Sequence, residues 1–439
     1  MRLLDHREKD FNEKLEELLK YLSPDRDPTI VKSVSRIVEA VKKEGDKALL
    51  RYARKFDNTH IKIANIEVSR EEIESALAQV PAEVLASLQK ADDRIKAYHE
   101  KQLQVWSLDK GFDFSDELGV KMGQIVKPME RVGIYVPGGK ASYPSTVLMS
   151  AVPAKVAGVK EVIMVSPQKE REFNPYLLAS AGLAGVDRIF RVGGAHAIAA
   201  LAYGTESIPR VDKIVGPGNA YVTAAKRLLF GVVDIDMIAG PTEVVVISDG
   251  CSNPQLVAAD LLSQAEHDED ARAIFITTQE WEAKAVCDEV LCQIETTERK
   301  EIAEKAIANH GAAVLVSDIE KAVQIVNLIA PEHLEILCKD YQRVLNLVKS
   351  AGAVFLGQMT PEAFGDYIAG SNHILPTGGS ARFRSPLGVY DFFKRISVIE
   401  AGSQALFNLS EDVIRLAKLE GLTAHAHAVE IRSKKGEAK

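Results

Sequence analysis

The sequence predicts an α/β protein in which two consecutive series of strands and helices are preceded and followed by helical segments. Three observations support this prediction. From about residue 121, short β-branched runs alternate with alanine-rich segments of helical period, a pattern typical of βαβ units on a largely parallel sheet. A second such series begins after Gly250. The chain of 439 residues also exceeds a single ordinary core, which favours roughly two to four domains.

The individual elements follow from the hydrophobic period and from the residues that interrupt it. Residues 1 to about 110 interleave Glu and Lys with Leu and Ala at helical period, and residues 411–418 return to this pattern, so helices are predicted at both ends. The predicted strands are Arg131–Val136, Glu161–Val165, Arg188–Val192, Lys213–Val215, Glu243–Ile247, Ala273–Thr277, Ala313–Val316 and Ala353–Leu356. The predicted helices between them are Ser145–Val156, Ala195–Tyr203, Ala220–Leu229, 253–267, 280–295 and 319–329. Two related domains with a cleft between them are therefore expected.

Four glycine-containing loops each follow a predicted strand of the first series. Doubly wound sheets place their ligand loops at this position, where free backbone N–H groups can bind phosphate. None of the four has the spacing G-x-G-x-x-G, and a single loop of this kind is more often a tight turn. Because four such loops occur in one series, nucleotide binding is as well supported as tight turns. The loops are Val136–Gly139, Val192–Ala195, Val215–Asn219 and Ala239–Thr242.

Composition and charge exclude several classes of protein. The hydrophobic content of 46% and the charged content of 26% are those of a globular chain. A net charge of −8 argues against nucleic acid, because phosphate binding requires a concentrated basic face. No apolar run approaches the ~18 residues that a membrane span requires, and the charged N-terminus does not resemble a signal peptide. We therefore expect a cytoplasmic protein with no nucleic-acid or membrane partner.

The segment Asp260–Asp268, with the sequence D-L-L-S-Q-A-E-H-D, lies at the end of a predicted helix that Asn253 can cap and Pro254 can begin. Gln264 and His267 are three residues apart, so on a helix their side chains project from one face and converge. The acidic residues that follow would crowd the helix C-terminus, where the helix dipole disfavours negative charge. Both features indicate a functional site, and the point of convergence could hold a metal ion.

Three further polar clusters could contribute to such a site. The first contains Glu332 and His333, a carboxylate and an imidazole that make a credible acid/base pair, although adjacent Glu and His are common on protein surfaces. The second contains Asp366 in a glycine-bounded loop, and the third contains two imidazoles near the C-terminus. The clusters are Ala330–Glu335, Phe364–His373 and Glu420–His427.

A metal site assembled from these segments would have two imidazoles, one carboxylate and one amide oxygen. Such donors suit Zn²⁺, with Mn²⁺ or Co²⁺ as alternatives. With one negative ligand the site would stay net positive and act as a Lewis acid that orients a substrate. The ligands lie far apart in the sequence, so spacing alone leaves the choice of imidazole open. The candidate ligands are Gln264, His267, Asp366 and one of His425 or His427.

Taken together, the motifs between about residues 120 and 431 resemble those of the histidinol dehydrogenase family. So many long motifs in one order make a chance match negligible. They are V-G-I-Y-V-P-G-G, K-V-A-G-V, V-G-P-G-N-A-Y-V-T-A-A-K, D-M-I-A-G-P-T-E, D-L-L-S-Q-A-E-H-D, I-A-P-E-H-L-E, G-D-Y-I-A-G-S-N-H-I-L-P-T-G-G and E-G-L-T-A-H. The resemblance implies a homodimeric, NAD-dependent enzyme with one zinc ion per subunit. Such an enzyme oxidises L-histidinol through the aldehyde to L-histidine, the last step of histidine biosynthesis.

The expected fold is therefore two incomplete Rossmann-like α/β domains with a helical N-terminal region and a small helical C-terminal domain. The N-terminal region is expected at residues 1–118, and the first domain, on the NAD side, at residues 119–249. The second domain, with the zinc and catalytic loops, is expected at residues 250–385. The C-terminal segment, residues 386–439, would complete the site of the partner subunit.

The resemblance also implies roles for individual residues, matched motif by motif. The implied zinc ligands are Gln264, His267, Asp366 and His425; the catalytic pair is Glu332 and His333; the NAD contacts are Tyr135 and Asn219; and the substrate contacts are Thr242, Glu420, His333 and the zinc ligands. Glu420 and His425 would reach into the site of the other subunit, because the family's C-terminal residues do so.

Two positions depart from the family's motifs. His196 stands where the family usually has Gln in V-G-G-A-Q-A-I-A-A-L. An imidazole can still donate a hydrogen bond, so His196 is expected as a third NAD contact. Thr242 stands where Ser is commoner, and it keeps the hydroxyl group.

The expected chemistry follows from the residue types. Oxidation of an alcohol requires a base for the hydroxyl proton while hydride leaves carbon, and His333 can serve because imidazole titrates near neutral pH. Oxidation of an aldehyde requires a thiol nucleophile or an activated water, and no cysteine lies in these motifs. Glu332 is therefore predicted to activate water to form a hydrate, which His333 deprotonates as a second NAD accepts hydride. Zinc would bind the imidazole and amine nitrogens of the substrate.

Two other functions compete with this one. A related dehydrogenase could use the same zinc and Glu-His pair on another primary alcohol, such as a sulfonated diol. Glu420 favours histidinol, because a carboxylate attracts the substrate's ammonium group and would repel a sulfonate. A non-catalytic zinc or nucleotide-binding protein is the second alternative, but packing alone does not require Glu332 beside His333. Formation of NADH with L-histidinol would distinguish these functions.

Overall fold

The structure is a computed structural model that describes residues 1–20, 27–57, 61–138, 143–168 and 173–433. Gly139 of the first glycine loop and the last six residues of the C-terminal segment lie outside the described residues. The architecture is mixed α/β with two parallel sheets, which confirms the predicted fold class. Within the described part of the chain, every helix is too short or too polar to cross a bilayer.

The strands are numbered in chain order, and most of the predicted ones are present within a residue or two of their expected ends. They are β1 Arg2–Asp5, β2 Phe112–Ser115, β3 Val120–Pro128, β4 Arg131–Tyr135, β5 Glu161–Val165, β6 Arg188–Phe190, β7 Lys213–Val215, β8 Asp234–Ile235, β9 Glu243–Ser248, β10 Arg272–Thr277, β11 Ala312–Leu315, β12 His333–Leu337, β13 Ala353–Leu356 and β14 Phe393–Ala401.

The helices include the predicted N-terminal series and the connections between strands. They are α1 Phe11–Lys20, α2 Pro28–Glu44, α3 Asp46–Phe56, α4 Arg70–Gln79, α5 Ala82–Trp106, α6 Pro144–Val156, α7 Pro175–Leu183, α8 Gly194–Tyr203, α9 Ala220–Leu229, α10 Pro254–Ala265, α11 Glu280–Gln293, α12 Lys300–His310, α13 Ile319–Ile329, α14 Tyr341–Leu345, α15 Glu362–Tyr367, α16 Ser403–Leu419 and α17 Thr423–Ser433. Short 3-10 turns lie at Ile63–Asn65, Ile294–Thr296, Ser380–Arg382 and Val389–Phe392.

Three sheets organise these elements. The first is five-stranded and parallel, in the order β6-β5-β4-β7-β8, and the second is six-stranded and parallel, in the order β1-β11-β10-β9-β12-β13. The third is antiparallel, in the order β14-β3-β2. Apolar clusters cover both faces of each parallel sheet. In β5, for example, Val162 and Met164 belong to one cluster while Ile163 and Val165 belong to the other, as expected for a strand that is buried on both sides.

Two strands belong to a different sheet from the one that their sequence position indicates. β9, predicted as the last strand of the first series, pairs with β10 and β12 in the middle of the second sheet. β1, in the N-terminal region that was expected to be helical, pairs with β11 at the edge of the same sheet. The physical reason is that a strand's own residues set its period, whereas its sheet is decided by pairing with distant residues.

The C-terminal segment is not wholly helical. β14 lies in it and pairs along its whole length with β3, which the sequence also did not predict as a strand. All residues of β14 after Phe393 are exposed in the single chain. Helices α16 and α17 follow and pack against each other, so the helical part of the segment begins only at Ser403.

Candidate active site

A cavity of about 1190 Å³ lies between the first and second sheets. Its first wall consists of loops at the carboxyl ends of β4, β6 and β7, the edge at which doubly wound sheets bind ligands. Its second wall lies at the amino ends of β9 and β12. The structure brings most of the sequence-predicted site residues to this cavity, and they are Tyr135, His196, Asn219, Thr242, Gln264, His267, Glu332, His333 and Asp366.

Two predicted residues do not reach the cavity of their own chain. Glu420 caps the end of α16 and His425 lies in α17. Both are exposed, as is His427, the alternative imidazole. One chain therefore supplies only part of the predicted site.

The backbone between α13 and β12 directs Glu332 into the cavity. Ala330 ends α13 in the left-handed conformation, with φ 50°, which costs a non-glycine residue roughly 1–2 kcal/mol. The N–H groups of Gly352 and Ala353 donate to the carbonyls of Pro331 and Glu332, both at 2.8 Å. A strained turn held by such bonds is a common feature of functional sites.

The carboxyl group of Glu332 is buried but well paired. Its Oε2 accepts hydrogen bonds from Thr242 Oγ1 at 2.6 Å and from the N–H of Glu243 at 3.0 Å. Burial raises the pKa of Glu332 to about 7, although the neighbouring His333 opposes the rise. A carboxyl group that exchanges its proton near neutral pH is suited to general acid/base chemistry.

The two ring nitrogens of His333 have different surroundings. Its Nδ1 lies 3.2 Å from the carbonyl of Glu243, so a proton on Nδ1 donates to that oxygen. Its Nε2 is buried without a hydrogen bond among the described residues and lies 3.4 Å from Oδ1 of Asp366. Burial alone lowers the pKa of His333, but the surrounding carboxylates, above all that of Glu332, outweigh burial and raise the pKa to about 10.

Glu362, which sequence reasoning missed, completes the surroundings of this pair. Its Oε2 lies 3.7 Å from Nδ1 of His333, and its Oε1 accepts from Ser263 Oγ at 2.7 Å. Burial raises the pKa of Glu362 to about 8. The sequence feature that could have identified Glu362 is its spacing of four residues from Asp366 along α15, because such residues share a face of a helix.

The amide of Gln264 bridges Thr242 and Glu362. One amide atom lies 2.5 Å from Thr242 Oγ1 and the other lies 2.5 Å from Oε2 of Glu362. The raised pKa of Glu362 keeps its carboxyl group protonated near neutral pH, so it can donate to the amide oxygen. We therefore assign the nitrogen to the side of Thr242, whose hydroxyl donates to Glu332 and can accept from this nitrogen, and the oxygen to the side of Glu362.

Helix α10 positions Gln264 as the sequence predicts, but His267 lies beyond the helix. Asn253 caps α10 by accepting from the N–H of Gln255 at 3.0 Å, and Pro254 begins it. The helix ends at Ala265, because the acidic residues that follow do not favour a helix C-terminus. The cavity therefore receives His267 from a turn and not from the helix face.

The donors at the cavity partly fit a zinc ion. Burial lowers the pKa of His267, which favours the neutral imidazole that binds metals. Burial raises the pKa of Asp366, but His333 outweighs this effect and holds the pKa below its usual value, so the carboxylate is ionised. Within the described residues of one chain, no group of three or more His, Cys, Asp or Glu side chains is arranged to hold a metal. No further side chain of these four types among the described residues therefore joins Gln264, His267 and Asp366 as a ligand.

The NAD contacts implied by the sequence lie on the first wall. Tyr135 is buried at the end of β4, and its hydroxyl accepts from the N–H of Gly194 at 3.1 Å. Burial raises the pKa of Tyr135 to about 12, so the hydroxyl keeps its proton for donation to a ligand. Asn219 caps α9 by accepting from the N–H groups of Tyr221 and Val222, at 3.0 and 3.1 Å.

A buried ion pair, which the sequence did not reveal, holds the loop between β7 and α9. Asp236 contacts Lys226 and accepts from the N–H of Gly216 at 2.7 Å, while Lys226 Nζ donates to the carbonyl of Gly216 at 3.0 Å. Gly216 has φ 110°, and a Cβ there would lie 2.2 Å from the carbonyl of Tyr135. The ion pair therefore fixes a loop that only glycine allows.

Replacing Asp236 by Asn is expected to lower the free energy of unfolding by about 3 kcal/mol, because it leaves the ammonium group of Lys226 buried without a counter-charge. Denaturant unfolding of the two proteins measures the difference. The control is Glu74→Gln, which breaks an exposed ion pair with Arg70 and should cost less than about 1 kcal/mol. Equal stability of the Asp236 variant and the parent would contradict the assigned role.

The chain is similar to known proteins along nearly its whole length. The histidinol dehydrogenase family model matches residues 23–433. The histidinol dehydrogenase of Syntrophotalea carbinolica is 54% identical over 406 residues, which cover 92% of this chain and 93% of that protein. The histidinol dehydrogenase of Aquifex aeolicus is 52% identical over 435 residues, which cover 98% of this chain and 99% of that protein. A crystal structure of histidinol dehydrogenase from Elizabethkingia anophelis matches with a TM-score of 0.90 and 37% identity, over 99% of this chain and 98% of that one.

Proposed function

The chain belongs to the histidinol dehydrogenase family, and on that premise we propose that it is a zinc-containing enzyme that oxidises L-histidinol to L-histidine with two molecules of NAD. The observation that carries this proposal is the placement of Glu332 beside His333 in the cavity wall, within reach of Gln264, His267 and Asp366. The four-electron oxidation requires a base and an activated water, and these two side chains can supply both functions.

In the first oxidation His333 acts as the general base. The hydroxyl proton of the substrate moves to Nε2, the ring atom that has no hydrogen bond within the described protein. The carbonyl of Glu243 holds the opposite nitrogen and so fixes the ring. Asp366 and Glu332 stabilise the imidazolium that forms, because both carboxyl groups lie within 4 Å of the ring nitrogens.

In the second oxidation Glu332 acts on water. With a pKa raised to about 7, its carboxylate is more basic than that of an ordinary glutamate, so it can take a proton from water as the oxygen adds to the aldehyde. The hydroxyl of Thr242 and the N–H of Glu243 hold this carboxylate in position. As the hydrate forms, the imidazolium of His333 returns its proton to the former aldehyde oxygen. The neutral imidazole then removes a hydroxyl proton of the hydrate while the second NAD accepts hydride.

The metal would be held by Gln264, His267 and Asp366, with His425 of the partner subunit as the fourth ligand. Bound zinc supplies a Lewis acid that binds the imidazole and amine nitrogens of histidinol, and its charge would offset that of Asp366 and lower the pKa of His333 towards neutrality. Tyr135, His196 and Asn219 would contact NAD on the opposite wall.

We propose a homodimer in which Glu420 and His425 complete the site of the other subunit. Both are exposed, and neither lines the cavity of its own chain. The helices that carry them also expose large apolar side chains, including Phe407 at 70%, Leu416 at 61% and Leu419 at 83%. Exposed apolar area of this kind is typical of an interface between subunits.

The experiment that tests the proposed function is the yield of NADH per L-histidinol consumed by the zinc-loaded protein. Two NADH per substrate, with activity lost on chelation and regained with Zn²⁺, are expected. Activity that survives complete chelation would contradict the zinc requirement. Absence of NADH with histidinol, and its appearance with a sulfonated diol, would instead favour the related dehydrogenase.

A further inference from the structure

A buried carboxylate and a buried imidazole face each other in the first wall of the cavity. Asp57 directly follows α3, and His196 lies in the first turn of α8. Oδ2 of Asp57 lies 3.4 Å from Nε2 of His196, and the two side chains are only 11% and 1% exposed. Both residues line the cavity.

Three buried polar atoms of these two groups lack a hydrogen bond in the part of the chain that the structure describes. They are the two ring nitrogens of His196 and Oδ2 of Asp57. The ring is held by packing against Tyr52 and Phe56, whose ring centroids each lie 6.2 Å from its own. A buried polar atom that lacks a hydrogen bond destabilises the protein, so such atoms in a cavity wall indicate a ligand that pairs with them.

The position of Asp57 and His196 indicates which part of a bound dinucleotide they contact, given the NAD dependence proposed above. The nicotinamide must reach Glu332 and His333, which lie on the second sheet. Asp57 follows α3 and His196 lies in the first turn of α8, two helices on the first sheet, and His196 lies beside Gly194 of a glycine loop that can bind the diphosphate. The pair therefore faces the adenosine half of the dinucleotide, which differs between NAD and NADP only at the ribose 2′ position.

We propose that Asp57 makes this enzyme select NAD over NADP. Its carboxylate accepts a hydrogen bond from the 2′-hydroxyl of the adenosine ribose, as acidic residues do in dinucleotide sites, and it repels a 2′-phosphate. His196 is a positioning residue for Asp57 in addition to its proposed contact with NAD. The inference rests on the proposed function, since it concerns the cofactor of the same site.

The test compares Asp57→Asn with the parent in kcat/KM for NAD and for NADP. The ratio of the two values is expected to fall about 100-fold, because removal of a like charge opposite a phosphate is worth several kcal/mol. Glu39→Gln, which removes an exposed charge from the neighbouring α2, is the control and should leave the ratio unchanged.

Further variants separate selectivity from folding. Asp57→Ser, which can donate to a phosphate, should bind NADP better than the parent does, and thermal unfolding shows whether each variant is folded. His196→Gln keeps a donor beside Asp57 and should retain the preference for NAD, whereas His196→Leu should lose part of it.

Equilibrium binding of NAD and NADP, measured by calorimetry, makes the test independent of turnover. An unchanged NAD to NADP ratio in folded Asp57→Asn and Asp57→Ser would overturn the inference and leave the proposed function intact. A parent protein that prefers NADP, or binds neither dinucleotide, would also overturn it. Binding of NAD that depends on Asp57, without oxidation of histidinol, would support the inference and refute the proposed function.

Discussion

Replacing Glu332 by Gln is expected to lower the overall conversion of L-histidinol to L-histidine on the order of 10³-fold, the range that a general base contributes. The amide has the size of the carboxyl group and can still accept from the N–H of Glu243, so the fold should be kept. It cannot take a proton from water. The loss should therefore fall on the aldehyde step, and NADH formation from L-histidinaldehyde measures it directly.

The same variant should retain part of the alcohol step, for which His333 is the base. NADH per histidinol should then approach one, with the aldehyde as the product. The control is Glu83→Gln, on the exposed surface of α5, which should leave both steps unchanged. Full conversion to histidine by the Glu332 variant would show that another group activates the water.

Mixed dimers of Glu332→Gln and His425→Ala are expected to recover the full conversion of L-histidinol to L-histidine, which each variant alone has largely lost. If each site combines Glu332 of one subunit with His425 of the partner subunit, one site of the mixed dimer carries both changes and the other carries none. A mixed dimer isolated with two affinity tags should therefore have about half the activity of the parent. The amount of L-histidine formed from L-histidinol per dimer is the measurement.

The matched control is a mixed dimer of Glu332→Gln with His333→Asn. Both changes lie on the same side of the site, so each of the two sites carries one of them and activity should not return. Recovery in this control would indicate exchange of subunits or contamination with the parent protein. An inactive dimer of Glu332→Gln with His425→Ala would mean that each chain uses its own His425, and it would contradict the shared site.

The candidate site shows which functional residues local sequence can identify and which it cannot. Residue types in dense motifs identified Glu332, His333, Gln264 and Asp366, because acid/base pairs and metal ligands require particular side chains. The structure brings all four to one cavity. Glu362 was missed, since a lone glutamate in a short helix looks the same in sequence whether it is exposed or buried. Its raised pKa arises from burial, which depends on the packed neighbours.

Asp57 and His196 illustrate the same limit. The sequence indicated His196 only through its departure from a family motif, and it gave no reason to pair this residue with one 139 positions earlier. Contacts between such distant residues depend on how α3 packs beside α8. The resulting geometry, and not either residue type, is what indicates a role in cofactor selection.

The sequence by itself determined the fold class, the period of most strands and helices, the cap of α10, and the set of residues with the chemistry of an oxidoreductase. These properties depend on short-range rules of backbone geometry, capping and side-chain chemistry. Only the tertiary structure decided that β9 and β1 join the second sheet, that His267 lies beyond its helix, and that one chain lacks His425 at its cavity. Those properties depend on pairing and burial among distant residues, whose free energies no local pattern contains.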